Sequence, residues 1–120
     1  MSLLKDSALR SVLGIGPEEL KGACMFLQGA VYCWCKNRPQ EWFALRDLMG
    51  GENTYWLNTP LAPVYRKHSG LPDGDAFIAA GKDAGWILKR VIAEDAREFD
   101  TRKAELVRQY RWLSPHAGQS

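Results

Sequence analysis

Apolar positions between Pro17 and Cys35 recur at helical spacing. At 100° per residue, Leu20, Ala23, Cys24, Leu27, Ala30, Val31, Trp34 and Cys35 fall on one face. Met25, Phe26, Gly29, Tyr32 and Cys33 populate the opposite side, and a helix apolar nearly all round belongs at the centre of a core. Pro17 suits its first turn, Glu18 and Glu19 complement the dipole there, and Arg38-Pro39 sets its end. The pattern therefore predicts a central buried helix over about 17–36.

Other elements are arranged around it. A helix is predicted over Leu3 to Leu13, broken by Gly14-Ile15-Gly16. Glu41 to Met49 forms a short amphipathic helix, with Trp42, Leu45 and Met49 on one side, before the turn Gly50-Gly51-Glu52-Asn53. Thr54 to Asn58 is irregular, and Thr59-Pro60 opens a helix of about two turns toward His68, with Pro63 near the limit that its first turn tolerates. After the loop Ser69 to Gly74, a long helix runs from Asp75 to about Phe99, where Ala80, Gly81, Ala84 and Gly85 allow close approach of the central helix. A last helix over about Arg102 to Leu113 aligns Leu106, Tyr110 and Leu113, and the tail 114–120 frays. No stretch alternates apolar and polar residues long enough to require a strand. The expected architecture is an all-α, single-domain bundle of five or six helices spanning residues 1–120.

Composition narrows the classes. A chain of 120 residues and 13.5 kDa, 46% hydrophobic, hides about two thirds of its unfolded surface, enough for one core. Its net charge of +2 is too small for a general polyanion binder. Met1 to Asp6 carries an acid and lacks the apolar run of a signal peptide, while the low-charge stretch Gly22 to Cys35 is too short to span a bilayer. The three cysteines fit a reducing compartment, so the expected location is cytoplasmic, with no membrane partner.

Cys24, Cys33, Cys35 and His68 suggest a metal site. On a helix, however, Cys33 and Cys35 point about 200° apart and Cys24 lies about 16 Å of rise from Cys35. Buried inert thiols are the expected reading, with no metal and no cofactor. Leu13-Gly14-Ile15-Gly16-Pro17 resembles the hairpin of helix-hairpin-helix DNA-binding modules, but Glu18 and Glu19 occupy the phosphate side and Leu20 stands where that motif has a small residue. An interhelical turn is the simpler role. Asp95 falls within the apolar stripe of the long helix, between Ile92 and Phe99. It is either an acid of raised pKa or, the reading favoured here, a structural carboxylate, ion-paired with an arginine from the last helix or carried on a helix that has turned toward solvent by this point.

Seven of the thirteen aromatics lie between Tyr32 and Tyr65, and this region is the candidate site. Its binding residues are Trp42, Arg46, Asp47, Glu52, Asn53, Trp56, Tyr65, Arg66, Lys67 and His68. No nucleotide-binding, nucleophile-elbow or zinc-protease motif occurs, and no catalytic residue is assigned. The leading expectation is a non-enzymatic protein–protein interaction or accessory module that binds a protein partner or self-associates. A second is a small nucleic-acid-binding protein, helix-turn-helix-like through Tyr65 to His68 or helix-hairpin-helix-like through Leu13 to Pro17. A third is a small enzyme or ligand sensor with its pocket near Trp42, Asp47, Trp56 and His68.

Overall fold

The computed structural model describes residues 14–49, 58–104 and 107–113. The helix expected over Leu3 to Leu13, the turn from Gly50, the tail 114–120 and the site candidates Glu52, Asn53 and Trp56 lie outside the described residues. Four helices and one hairpin are described: α1 (Pro17–Asn37), α2 (Leu45–Leu48), α3 (Ala62–Arg66), α4 (Asp73–Glu94), β1 (Phe99–Ala104) and β2 (Val107–Trp112). The protein is thus not an all-α bundle of five or six helices, because the segment expected to be its last helix is a two-stranded antiparallel sheet.

α1 begins as the sequence requires. Gly14 takes a positive φ of 68°, a conformation that costs glycine little, and buried Ile15 follows it into the core. Glu19 accepts the Gly16 N–H at 2.9 Å, and Pro17 occupies the first turn. One face, Leu20, Ala23, Leu27, Val31 and Cys35, is buried. The other is not: Met25 is 65% and Tyr32 49% exposed, and Cys33 is exposed. α1 is therefore continuous but not a helix buried nearly all round, because Met25, Tyr32 and Cys33 of its second apolar row are exposed while Phe26 of that row packs against the core.

α4 packs on that buried face through Ala80, Ala84, Ile87, Leu88 and Val91. Ala80 and Ala84 are fully buried, whereas a Cβ built on Gly81 or Gly85 would meet nothing within 4 Å. The two glycines thus face away from the helix contact. α4 also ends earlier than its apolar stripe implies. Asp95 is extended, at φ −70° and ψ 143°, and its carboxylate accepts the Arg97 N–H at 2.8 Å. A carboxylate that bonds the backbone two residues on offers an alternative to another helical turn.

The hairpin pairs Phe99 with Trp112, Thr101 with Tyr110 and Lys103 with Arg108. β2 gains a further partner where Phe43 and Tyr110 exchange backbone bonds of 2.9 and 2.8 Å. That bridge extends the backbone at Phe43 and Ala44, so the helix expected over Glu41 to Met49 shrinks to Leu45–Leu48. Asp47 opens this short turn by accepting the Ala44 N–H at 2.7 Å. The helix expected over Thr59 to His68 likewise contracts to Ala62–Arg66, with Thr59 Oγ1 accepting the Leu61 N–H at 3.1 Å.

Candidate functional site

Three depressions form one groove between α4 and the hairpin. All three share Tyr110 and Arg108, and the first, about 450 Å³, runs along Ala44, Ile78, Gly81, Gly85, Leu88 and Val107. The two others, about 330 and 470 Å³, continue it past Ile92, Phe99 and Trp86. Gly81 and Gly85 form its floor, because a missing side chain at each leaves room above α4. Ile78 is 63% exposed and Trp86 44%. Around this apolar surface stand Arg46, Lys82, Lys89, Lys103 and Arg108, all exposed, and no carboxylate is found among the described lining residues.

Buried aromatic rings hold the groove's far wall. Phe43 is fully buried and meets Trp34 at 5.7 Å, Tyr110 at 6.0 Å and Phe99 edge-on at 6.3 Å. Burial pushes the Tyr110 hydroxyl above its usual 10.0, with Arg108 partly opposing. Behind the hairpin, Trp42 lies under two guanidinium groups, Arg102 at 4.0 Å and Arg111 at 4.7 Å.

A second cluster ties the α4–β1 junction to α1. The Asp95 side chain is 4% exposed, and its Oδ2 receives both Arg97 Nη1 and Gln28 Nε2 at 2.7 Å. Arg97 in turn lies over the rings of Tyr32 and Trp112, at 5.2 and 5.7 Å. Asp95 is accordingly an ion-paired helix terminator, and its arginine lies two residues along the chain, not on a final helix. Nearby Cys35 has its thiol pushed up from the usual 9.0 by burial, with Arg97 opposing and Asp95 reinforcing.

The structure distributes the expected site residues among different contacts. Of the ten, Arg46 is the one described residue that lines the groove. Trp42 belongs to the arginine stack behind the hairpin, and Asp47 caps α2. Tyr65 stacks on Phe77 at 5.0 Å. Lys67 Nζ and His68 Nε2 both reach Asp83 Oδ2, at 2.7 and 2.8 Å, which fastens the end of α3 to α4, while Arg66 is exposed. Sequence reasoning missed Lys82, Trp86, Lys89, Lys103 and Arg108. The signal available was the pair Lys82 and Lys89, seven residues apart on one face of α4, but its counterpart on the hairpin could not be aligned with it while that segment was read as helix.

The three sulfurs of α1 differ in setting: Cys35 is buried, Cys24 half-buried and Cys33 exposed. Among the described residues no helix is long and apolar enough to cross a membrane. Comparison with protein-family models, with curated proteins and with solved structures finds no match.

Proposed function

We propose that this chain is a non-catalytic protein-interaction module whose α4–hairpin groove takes an acidic, amphipathic segment of a partner protein. The observation that carries this reading is the lining itself: aliphatic Ile78, Leu88 and Val107 beside the Gly81–Gly85 floor, rimmed by five cations with no carboxylate among the described lining residues. Apolar side chains of a docked segment would displace water from that floor, and its Asp and Glu residues would meet the rim. Single-stranded nucleic acid is favoured less. Continuous base stacking needs successive exposed rings, and among the described lining residues Trp86 is the one exposed ring. The three cysteines belong with a reducing, cytoplasmic setting in this reading.

Titration of the ¹⁵N-labelled protein with a fluorescein-labelled Leu/Glu amphipathic peptide, against a Leu/Lys control of the same pattern, tests the reading. Binding is expected for the acidic peptide alone, with shifts at Ile78, Gly85 and Val107 and a loss of at least tenfold in affinity for Lys82→Glu/Arg108→Glu. Equal binding of both peptides, or shifts confined elsewhere, refutes it. Preferential, steeply salt-dependent binding of an oligonucleotide would transfer the groove to nucleic acid.

A further inference from the structure

β1 is the outer strand of the sheet, and the hydrogen-bond phase shows which of its backbone groups face outward. Leu113 donates to the Glu98 carbonyl at 2.8 Å, and hydrogen-bonded pairs alternate along an antiparallel ladder. Asp100, Arg102 and Ala104 therefore point inward to β2, while Phe99, Thr101 and Lys103 point their N–H and C=O groups outward. The same phase turns Tyr110 outward on β2, where it meets Phe43. Among the described residues no backbone group bonds to the outer edge of β1. Thr101, Arg102 and Lys103 are exposed, and the Thr101 N–H is occupied by its neighbour's carboxylate, Asp100 Oδ1, at 2.9 Å.

We infer that β1 pairs with β1 of a second copy of this chain, antiparallel, across a two-fold axis at Thr101. This goes beyond the groove reading and does not rest on it. Three registers keep the outward groups in phase near the middle of the strand. Centring on residue 100 sets Asp100 against Asp100 of the second copy, and centring on residue 102 sets Arg102 against Arg102. Centring on Thr101 sets Asp100 against Arg102 of the second copy, and the same pair recurs by symmetry. These are non-hydrogen-bonded positions, where cross-strand side chains approach most closely. Phe99 then lies opposite Lys103 of the second copy, and Thr101 opposite its own counterpart.

Exposed strand edges are usually guarded by cations that repel a second copy. Here the guard is self-complementary, because the order Asp-Thr-Arg is opposite in charge about its centre. In the isolated chain the Asp100 carboxylate occupies the central outward donor; on pairing, a strand carbonyl takes that place. Asp100 then lies between Arg111 of its own chain, now at 3.2 Å, and Arg102 of the second copy.

Sedimentation equilibrium over micromolar to millimolar concentration tests the inference. Wild type is expected to rise to twice the monomer mass, at a concentration that increases with salt. Thr101→Pro removes the outward N–H and leaves the β1–β2 bonds intact, so it should remain monomeric with an unchanged circular-dichroism spectrum. Asp100→Arg and Arg102→Asp should each be monomeric alone, through like-charge contacts, and recover the doubled mass when mixed. Lys82→Glu, which damages only the groove, should dimerise as wild type does. A wild type monomeric at millimolar concentration, a dimerising Thr101→Pro, or a mixture that stays monomeric each overturns the proposal.

Discussion

Across the α1–α4 interface the contacts are aliphatic and small: Leu27, Val31, Ala80, Ala84, Ile87 and Leu88 meet along two helices whose backbone bonds are satisfied internally. Around the hairpin the contacts are aromatic and cationic. Phe43 anchors Trp34, Phe99 and Tyr110, and Arg97 joins Tyr32 on α1 to Trp112 on β2. A helix pair needs only a stripe of the right period and residues small enough for approach. A two-stranded hairpin has little stability alone and must be held by something else. Here residues far away in sequence hold it, which is why the cationic wall of the groove depends on Phe43 and Asp95.

The contrast can be broken at its anchors. Phe43→Ala should cost about 3–5 kcal/mol in chemical denaturation, and Leu27→Ala about 2–5 kcal/mol. The distinguishing measurement is hydrogen exchange. In Phe43→Ala the Tyr110 amide should lose protection well before the amides of α1, whereas in Leu27→Ala both should fall together. Equal loss in the two variants would show that the hairpin does not depend on the ring cluster.

A smaller effect is expected at the junction. Asp95→Ala leaves Gln28 and Arg97 without their shared acceptor and should cost about 3 kcal/mol, the low end for a broken buried pair because Arg97 retains contact with water. A loss under about 1 kcal/mol by the same assay would reduce the pair to a surface ion pair. The smallest change has the opposite sign. Gly85→Ala places a methyl in open groove and removes a mid-helix glycine, so urea unfolding should show a gain of about 0.5–1 kcal/mol. Destabilisation there would mean that the hairpin lies against α4 without the intervening space.

The particular errors of sequence reading share one cause. α1 was legible almost to the residue, from Pro17 to the Arg38-Pro39 stop, because its signals are local: a proline, two first-turn acids and a 3.6-residue period. The hairpin was not. Its inward face carries Phe99, Thr101 and Lys103 on one strand and Trp112, Tyr110 and Arg108 on the other, so charge interrupts the alternation that marks a strand. Leu106, Tyr110 and Leu113, spaced three and four apart, imitate a helical stripe instead. Asp95 was singled out correctly as a carboxylate needing a partner, but periodicity could not show that it ends the helix.

The candidate site was legible only in fragments. Arg46 was named and lines the groove, while Tyr65, Lys67 and His68 prove to fasten α3 to α4. What the sequence determined by itself was the helical spine and its two ends, since those follow from contacts within a few residues; that one of its two apolar rows stays exposed was not determined there. What the tertiary structure alone decided was that the last segment is a hairpin, that Phe43 extends to meet it, and that cations from α2, α4 and both sides of the hairpin turn face one groove. Those outcomes come from pairings between residues distant along the chain, and no local period encodes such a pairing.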